Sequence, residues 1–138
     1  MIYFIENDKK VKIAKRSAKD ELTFLCENEG FVVGDLNVVF CSDSFLLEMN
    51  KTHLNHDYFT DIITFDFCEG KIINGELYIS VDRVEDNVKV LNIPFDVELK
   101  RIIFHGVLHL CGFKDKSSSD KIQMTSKEDY YLKYFKYI

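Results

Sequence analysis

At 138 residues and 46% hydrophobic content, the chain can bury a real core without disulfide staples and fits one compact domain, residues 1–138. Its net charge of −5 argues against a general nucleic-acid binder, because phosphate contacts draw on Lys and Arg. No apolar run approaches the roughly 20 residues that span a bilayer. The opening MIYFIENDKK lacks the apolar length and basic lead-in of a secretory signal, so a cytoplasmic protein is expected, with no membrane role and with Cys26, Cys41, Cys68 and Cys111 reduced.

IYFI predicts a short strand that the ENDKK cluster turns. SAKDELTFLCENEG has Ala18, Leu22 and Leu25 on one stripe and Gly30 past its end, the pattern of an amphipathic helix. LNVVFC, residues 36 to 41, is the next strand. SDSFLLEMNKTHL starts on a good N-cap, Ser42, and carries Phe45, Leu46 and Met49 at helical spacing. A polar loop from Asn55 to Asp57 follows.

TDIITFDF and GELYIS are rich in β-branched and aromatic residues and predict a hairpin turning around Asn74 and Gly75. A charged helix is predicted over Val81 to Leu91, a break at Asn92 to Pro94, and a helix from Phe95 to Leu110 whose second half is apolar all round and therefore buried. The tail SSSDKIQMTSKEDYYLKYFKYI opens on serine caps and places Ile122, Met124, Tyr131 and Phe135 near helical spacing. Strands and helices mix without strict alternation, which predicts an α+β fold: a small mixed β-sheet covered by helices.

Charge is unevenly spread. Residues 101 to 138 hold seven basic residues against four acidic ones, so the last third of the chain is locally positive.

That third contains HGVLHLCGFKDK, residues 105 to 116. Residues four apart on a helix differ by about 40° around its axis, so His105 and His109 leave one face a turn apart and can reach one ion. A catalytic zinc takes about three protein ligands and keeps one position for water. Gly112 suits a positive-φ turn past the helix end, and Asp115 is the first group after it able to bind a cation. Two histidines at this spacing also fit a core helix. Burying them unpaired among Ile102, Ile103, Val107, Leu108 and Leu110 costs about 1–3 kcal/mol each, however, and an ion relieves that cost. The glutamate that follows the first histidine in HExxH peptidases is absent, since Gly106 stands there, and a glycine at that point suits close approach of another backbone.

HGVLHLCGFKDK resembles the HGxLHLxGYDH signature of the YbeY family of metal-dependent single-strand endoribonucleases, the rRNA maturation factors. LEMNKTHLNHDYFTDIITFDF is similar to that family's LNxxYRxxDxPTDVLSFPF block, and GELYIS to its GDIYIS strand, so the resemblance covers residues 45 to 116. It implies a zincin-like metal-dependent hydrolase arrangement and one Zn²⁺ per chain, with His105 and His109 at the first two ligand positions and Asp115 where the family has a third histidine. It further implies single-stranded RNA, ribosomal RNA and the ribosome as partners, maturation of the 16S rRNA 3′ end, and late ribosome quality control.

Two departures matter. A carboxylate at Asp115 leaves the site one charge less positive than a third imidazole, so water there is less acidified and oxygen-preferring metals gain ground. The family arginine of the LNxxYR block falls at Leu54, and its role in gripping phosphate does not carry over. Lys114, Lys116, His53, His56, Thr60 and Thr64 are the candidate substrate-binding residues, and no residue is identifiable as a general base. Two rival functions stand beside a nuclease: a metal-dependent hydrolase of another substrate, and a non-catalytic zinc-containing ribosome assembly factor.

Overall fold

The computed structural model describes residues 1–56 and 58–138; the last position of the expected polar loop, Asp57, lies outside them. In chain order the elements are β1 (Ile2–Glu6), α1 (Lys15–Asn28), β2 (Val32–Cys41), α2 (Asp43–Leu54), β3 (Ile62–Asp66), β4 (Ile72–Ser80), α3 (Val81–Leu91), α4 (Phe95–Leu110) and α5 (Ser118–Tyr134). The four strands form one sheet in the order β1-β2-β4-β3. β1, β2 and β4 run parallel and β3 antiparallel to β4, a mixed sheet of the kind expected. The parallel pairs require crossover connections, which α1 supplies between β1 and β2 and α2 with β3 supplies between β2 and β4.

Period-two alternation sorts the strand side chains between faces. Leu36, Val38 and Phe40 of β2 and Leu77 and Ile79 of β4 join Leu22 and Leu25 of α1 and Ile103, Phe104 and Val107 of α4 in the main core. A smaller cluster of Cys41, Leu46 and Ile63 draws in Met49, Phe65 and Tyr78. The predicted caps are real: Ser42 accepts the Phe45 N–H, and Ser117 forms a capping box with Asp120.

Three local expectations are corrected. β2 begins at Val32, not residue 36, because its first half, broken by Gly34 and Asp35, pairs with β4 through an irregular register between Val33 and Leu36. The hairpin turns between Asp66 and Ile72; Asn74 and Gly75 lie inside β4. Asn74 Oδ1 accepts the Asp35 N–H at 2.7 Å, and a Cβ on Gly75 would stand 2.6 Å from the Phe65 carbonyl oxygen. These residues serve strand contacts, not a turn. On α5 the buried stripe takes in Met124 and Tyr131 but leaves Ile122 at 72% exposure.

Gly106 sets the depth at which α4 lies on the sheet. A Cβ there would approach Ile62 Cδ1 to 2.7 Å and the Leu77 δ-carbons to 2.9 Å, so a side chain here displaces those groups; the expected close approach is made by side chains of β3 and β4, not by another backbone. Close seating of α4 brings its histidines to the rim of β3.

Candidate metal centre

α4 presents His105 and His109 from one face, their rings edge to face with centroids 4.6 Å apart. Past the helix, Gly112 takes φ +99°, the left-handed turn expected of it, and the chain folds back to deliver Asp115. The two Nε2 atoms lie 3.1 Å apart, and Asp115 Oδ2 is 3.2 Å from each. This triangle is close to the edge of about 3.3 Å of a tetrahedron built on zinc–nitrogen distances of about 2.0 Å. Among the described residues, these three are the group of ligand-bearing side chains able to hold a metal ion.

The donor chemistry fits a cation. His105 Nδ1 stands 2.7 Å from Glu128 Oε2 and therefore carries the proton it donates, which leaves the Nε2 lone pair facing the triangle. Two imidazole nitrogens and a carboxylate oxygen thus converge; a proton on His109 Nε2 satisfies the cluster when no cation is there, and a cation would take the place of that proton among the three donors. Burial disfavours the His105 imidazolium, yet the hydrogen bond and charge of Glu128, then Asp115 and Asp61, outweigh it and shift the pKa upward.

Glu128 was not foreseen as part of the site. It lies on α5, 23 residues from His105, and is only 7% exposed. The signal was present in the periodicity: a glutamate occupies a buried-stripe position of α5, between Met124 and Tyr131, where an apolar residue belongs. Arg101 reaches behind it, with Nη1 3.4 Å from Glu128 Oε1 and 3.1 Å from Asp129 Oδ1. Glu98 Oε1 is buried without a hydrogen bond but lies at ion-pair distance, 3.5 Å, from Arg101 Nε. Burial pushes the carboxyl groups of Glu98 and Asp61 above their usual range.

The three ligand candidates line a cleft of about 470 Å³ together with Leu54, His56, Thr60, Asp61, Thr64 and others. Of the residues suggested for substrate, the structure brings His56, Thr60 and Thr64 into this lining. His53 is not in it; its ring meets Phe65 edge-on at 6.4 Å. Lys114 and Lys116 are exposed on either side of Asp115 and are also outside the lining. Leu54, at the position of the family arginine, does face the cleft.

The model of the family described as endoribonuclease YbeY matches residues 3–136. Endoribonuclease YbeY of Flavobacterium psychrophilum is 52% identical over 102 residues, 74% of this chain and 73% of that protein. The Porphyromonas gingivalis protein of the same name is 42% identical over 127 residues, 92% of this chain and 84% of its own length. That of Cytophaga hutchinsonii is 42% identical over 130 residues, 93% and 91% of the two chains. Among solved structures, the solution structure of TM1509 from Thermotoga maritima superposes with a TM-score of 0.68 at 28% identity, covering 96% of this chain and 87% of that one. A match across nearly the whole chain, with relatives this similar, identifies it as a member of the endoribonuclease YbeY family.

Proposed function

We propose that this protein is a zinc-dependent endoribonuclease that hydrolyses phosphodiester bonds in single-stranded RNA, with residues 1–138 acting as one catalytic domain in the cytoplasm. Family membership supports the reaction class, and ribosomal RNA, at the 3′ end of 16S rRNA, is the target that the resemblance implies, together with a part in ribosome quality control. The observation that carries the metal-dependent reading is the convergence of His105 Nε2, His109 Nε2 and Asp115 Oδ2 within 3.2 Å on an open cleft.

His105, His109 and Asp115 hold the ion in this reading. When bound, zinc supplies Lewis acidity toward a phosphoryl oxygen and acidifies water. Glu128 fixes the tautomer and ring angle of His105, and Arg101 steadies Glu128 from behind. Thr60 and Thr64 offer hydroxyls along the cleft, while Lys114 and Lys116, exposed next to Asp115 in the chain, offset phosphate charge outside its lining.

Metal-stripped protein, assayed on matched single- and double-stranded RNA before and after zinc is restored, tests this. Internal cleavage of the single strand only, dependent on restored metal, is expected. Equal cleavage with and without metal would remove zinc from the mechanism, and no cleavage of either RNA would remove the nuclease.

A further inference from the structure

The wall of the cleft that includes Leu54 carries a feature the metal centre does not use. Tyr58, 55% exposed, stacks on His56 with ring centroids 5.1 Å apart and an interplanar angle of 20°. Its hydroxyl meets His56 Nδ1 at 3.0 Å, so the two rings form one slab. Both line the same cleft as His105, His109 and Asp115.

The slab is held in place. Asn50 is only 2% exposed, and its side-chain amide donates to the Tyr58 carbonyl at 2.9 Å while its backbone carbonyl accepts the His56 N–H at 3.0 Å. A buried asparagine at the base of the loop thus fixes both ring-bearing residues from below. The left-handed Asn55, φ 55°, turns the chain out of α2 to bring them there.

Charge points the same way. Among the described residues, no lysine or arginine lines this cleft, whereas Asp61, Asp66 and Asp115 do. Phosphate grip inside the cleft is therefore left to the metal centre, and a nucleic-acid strand needs a second source of affinity. A partly exposed aromatic face supplies it without charge, since every base has a π-face and stacking is tolerant of sequence.

We propose that the Tyr58–His56 ring pair is a nucleobase-stacking subsite, which seats one base of a single-stranded RNA in the cleft that holds the metal centre. This rests on the single-strand nuclease reading above. It also gives a physical reason for single-strand preference, because a base paired and stacked within a duplex has no free face to offer. Tyr58 falls on a variable position of the family block, so the family pattern alone assigns it no role.

The test is equilibrium binding of a short fluorescein-labelled single-stranded oligoribonucleotide to the full chain, zinc-loaded and metal-free, followed by anisotropy at low temperature with the RNA verified intact. Removal of a stacking ring weakens binding by about 5- to 150-fold. Tyr58→Ala is expected to weaken it within that range, Tyr58→Phe to retain most of it, and replacing one base of the oligonucleotide by an abasic site to reproduce the loss in the wild type but add little in Tyr58→Ala. Tyr130→Ala, which removes an exposed ring on α5, serves as the control and should bind like the wild type. Unchanged binding by Tyr58→Ala, or an equal loss in Tyr130→Ala, would overturn the subsite. Binding that depends on Tyr58 without cleavage at any zinc level would leave the subsite standing and reject the nuclease, so the two failures are separable.

Discussion

Glu128 on α5 holds His105 on α4 through a 2.7 Å contact between Oε2 and Nδ1, which couples the last helix of the chain to the candidate metal centre. Removing such a partner of a metal-binding histidine costs about 10- to 100-fold in metal affinity. Glu128→Gln keeps the side-chain shape and loses the charge, so zinc affinity, measured by chelator competition, is expected to fall by about that factor while the circular dichroism spectrum stays native. Wild-type affinity in this variant would show that α5 packs against the centre without tuning it.

Asp115 offers a graded comparison. Asp115→Ala removes a candidate ligand outright and should lower zinc affinity by more than the about 10- to 100-fold ascribed to the outer partner. Asp115→His restores the residue of the family signature and should retain zinc binding, because imidazole and carboxylate reach zinc at similar distances. Full zinc affinity in Asp115→Ala would mean that the short contacts to His105 and His109 are not coordination geometry.

Gly106 is a packing test independent of metal. A methyl group there meets Ile62 at 2.7 Å and Leu77 at 2.9 Å. Overpacking of this kind costs about 1–3 kcal/mol, against a helix-propensity gain of about 0.5–1 kcal/mol for Gly→Ala. Gly106→Ala should therefore be less stable than the wild type in urea unfolding, by up to about 2.5 kcal/mol. A stabilised variant would mean that α4 can lift off β3 and β4 at no cost.

Acid should release a contact between the segment after β1 and the start of α3. The Asp82 carboxyl is held below its usual range, first by its hydrogen bond to Lys9, then by the backbone N–H of Asp43. The folded value lies below the unfolded one, so protons favour the unfolded state. The stabilisation is present above the unfolded pKa of about 3.9 and is lost as pH falls through the lower folded value. In metal-free protein, the difference in Tm between wild type and Asp82→Asn should be present at neutral pH and close in strong acid. A gap that persists unchanged in acid contradicts this assignment.

Much of this was legible in local pattern. The stripe of Ala18, Leu22 and Leu25, the Ser42 cap and the all-round apolar second half of α4 each named their element correctly, because each signal is carried by neighbours in sequence. The spacing of His105, His109, Gly112 and Asp115 likewise lies within one helix and its turn, and the geometry follows from it. What escaped depends on tertiary contact. Asn74 and Gly75 have the composition of a turn, but β4 uses the first for a bond to Asp35 and the second for close approach to Phe65, neither visible without the sheet order. Glu128, Glu98 and Arg101 meet behind His105 only once α5 lies on α4. The Tyr58–His56 slab depends on Asn50, a residue that looks like any polar helix position until its burial is known.

His109→Ala separates a catalytic from a structural metal: its zinc content, its fold by circular dichroism and its cleavage of single-stranded RNA are measured beside the zinc-loaded wild type. A folded variant that has lost both the metal and the cleavage is expected. A folded variant that has lost the metal and still cuts the RNA at the wild-type rate contradicts a catalytic metal.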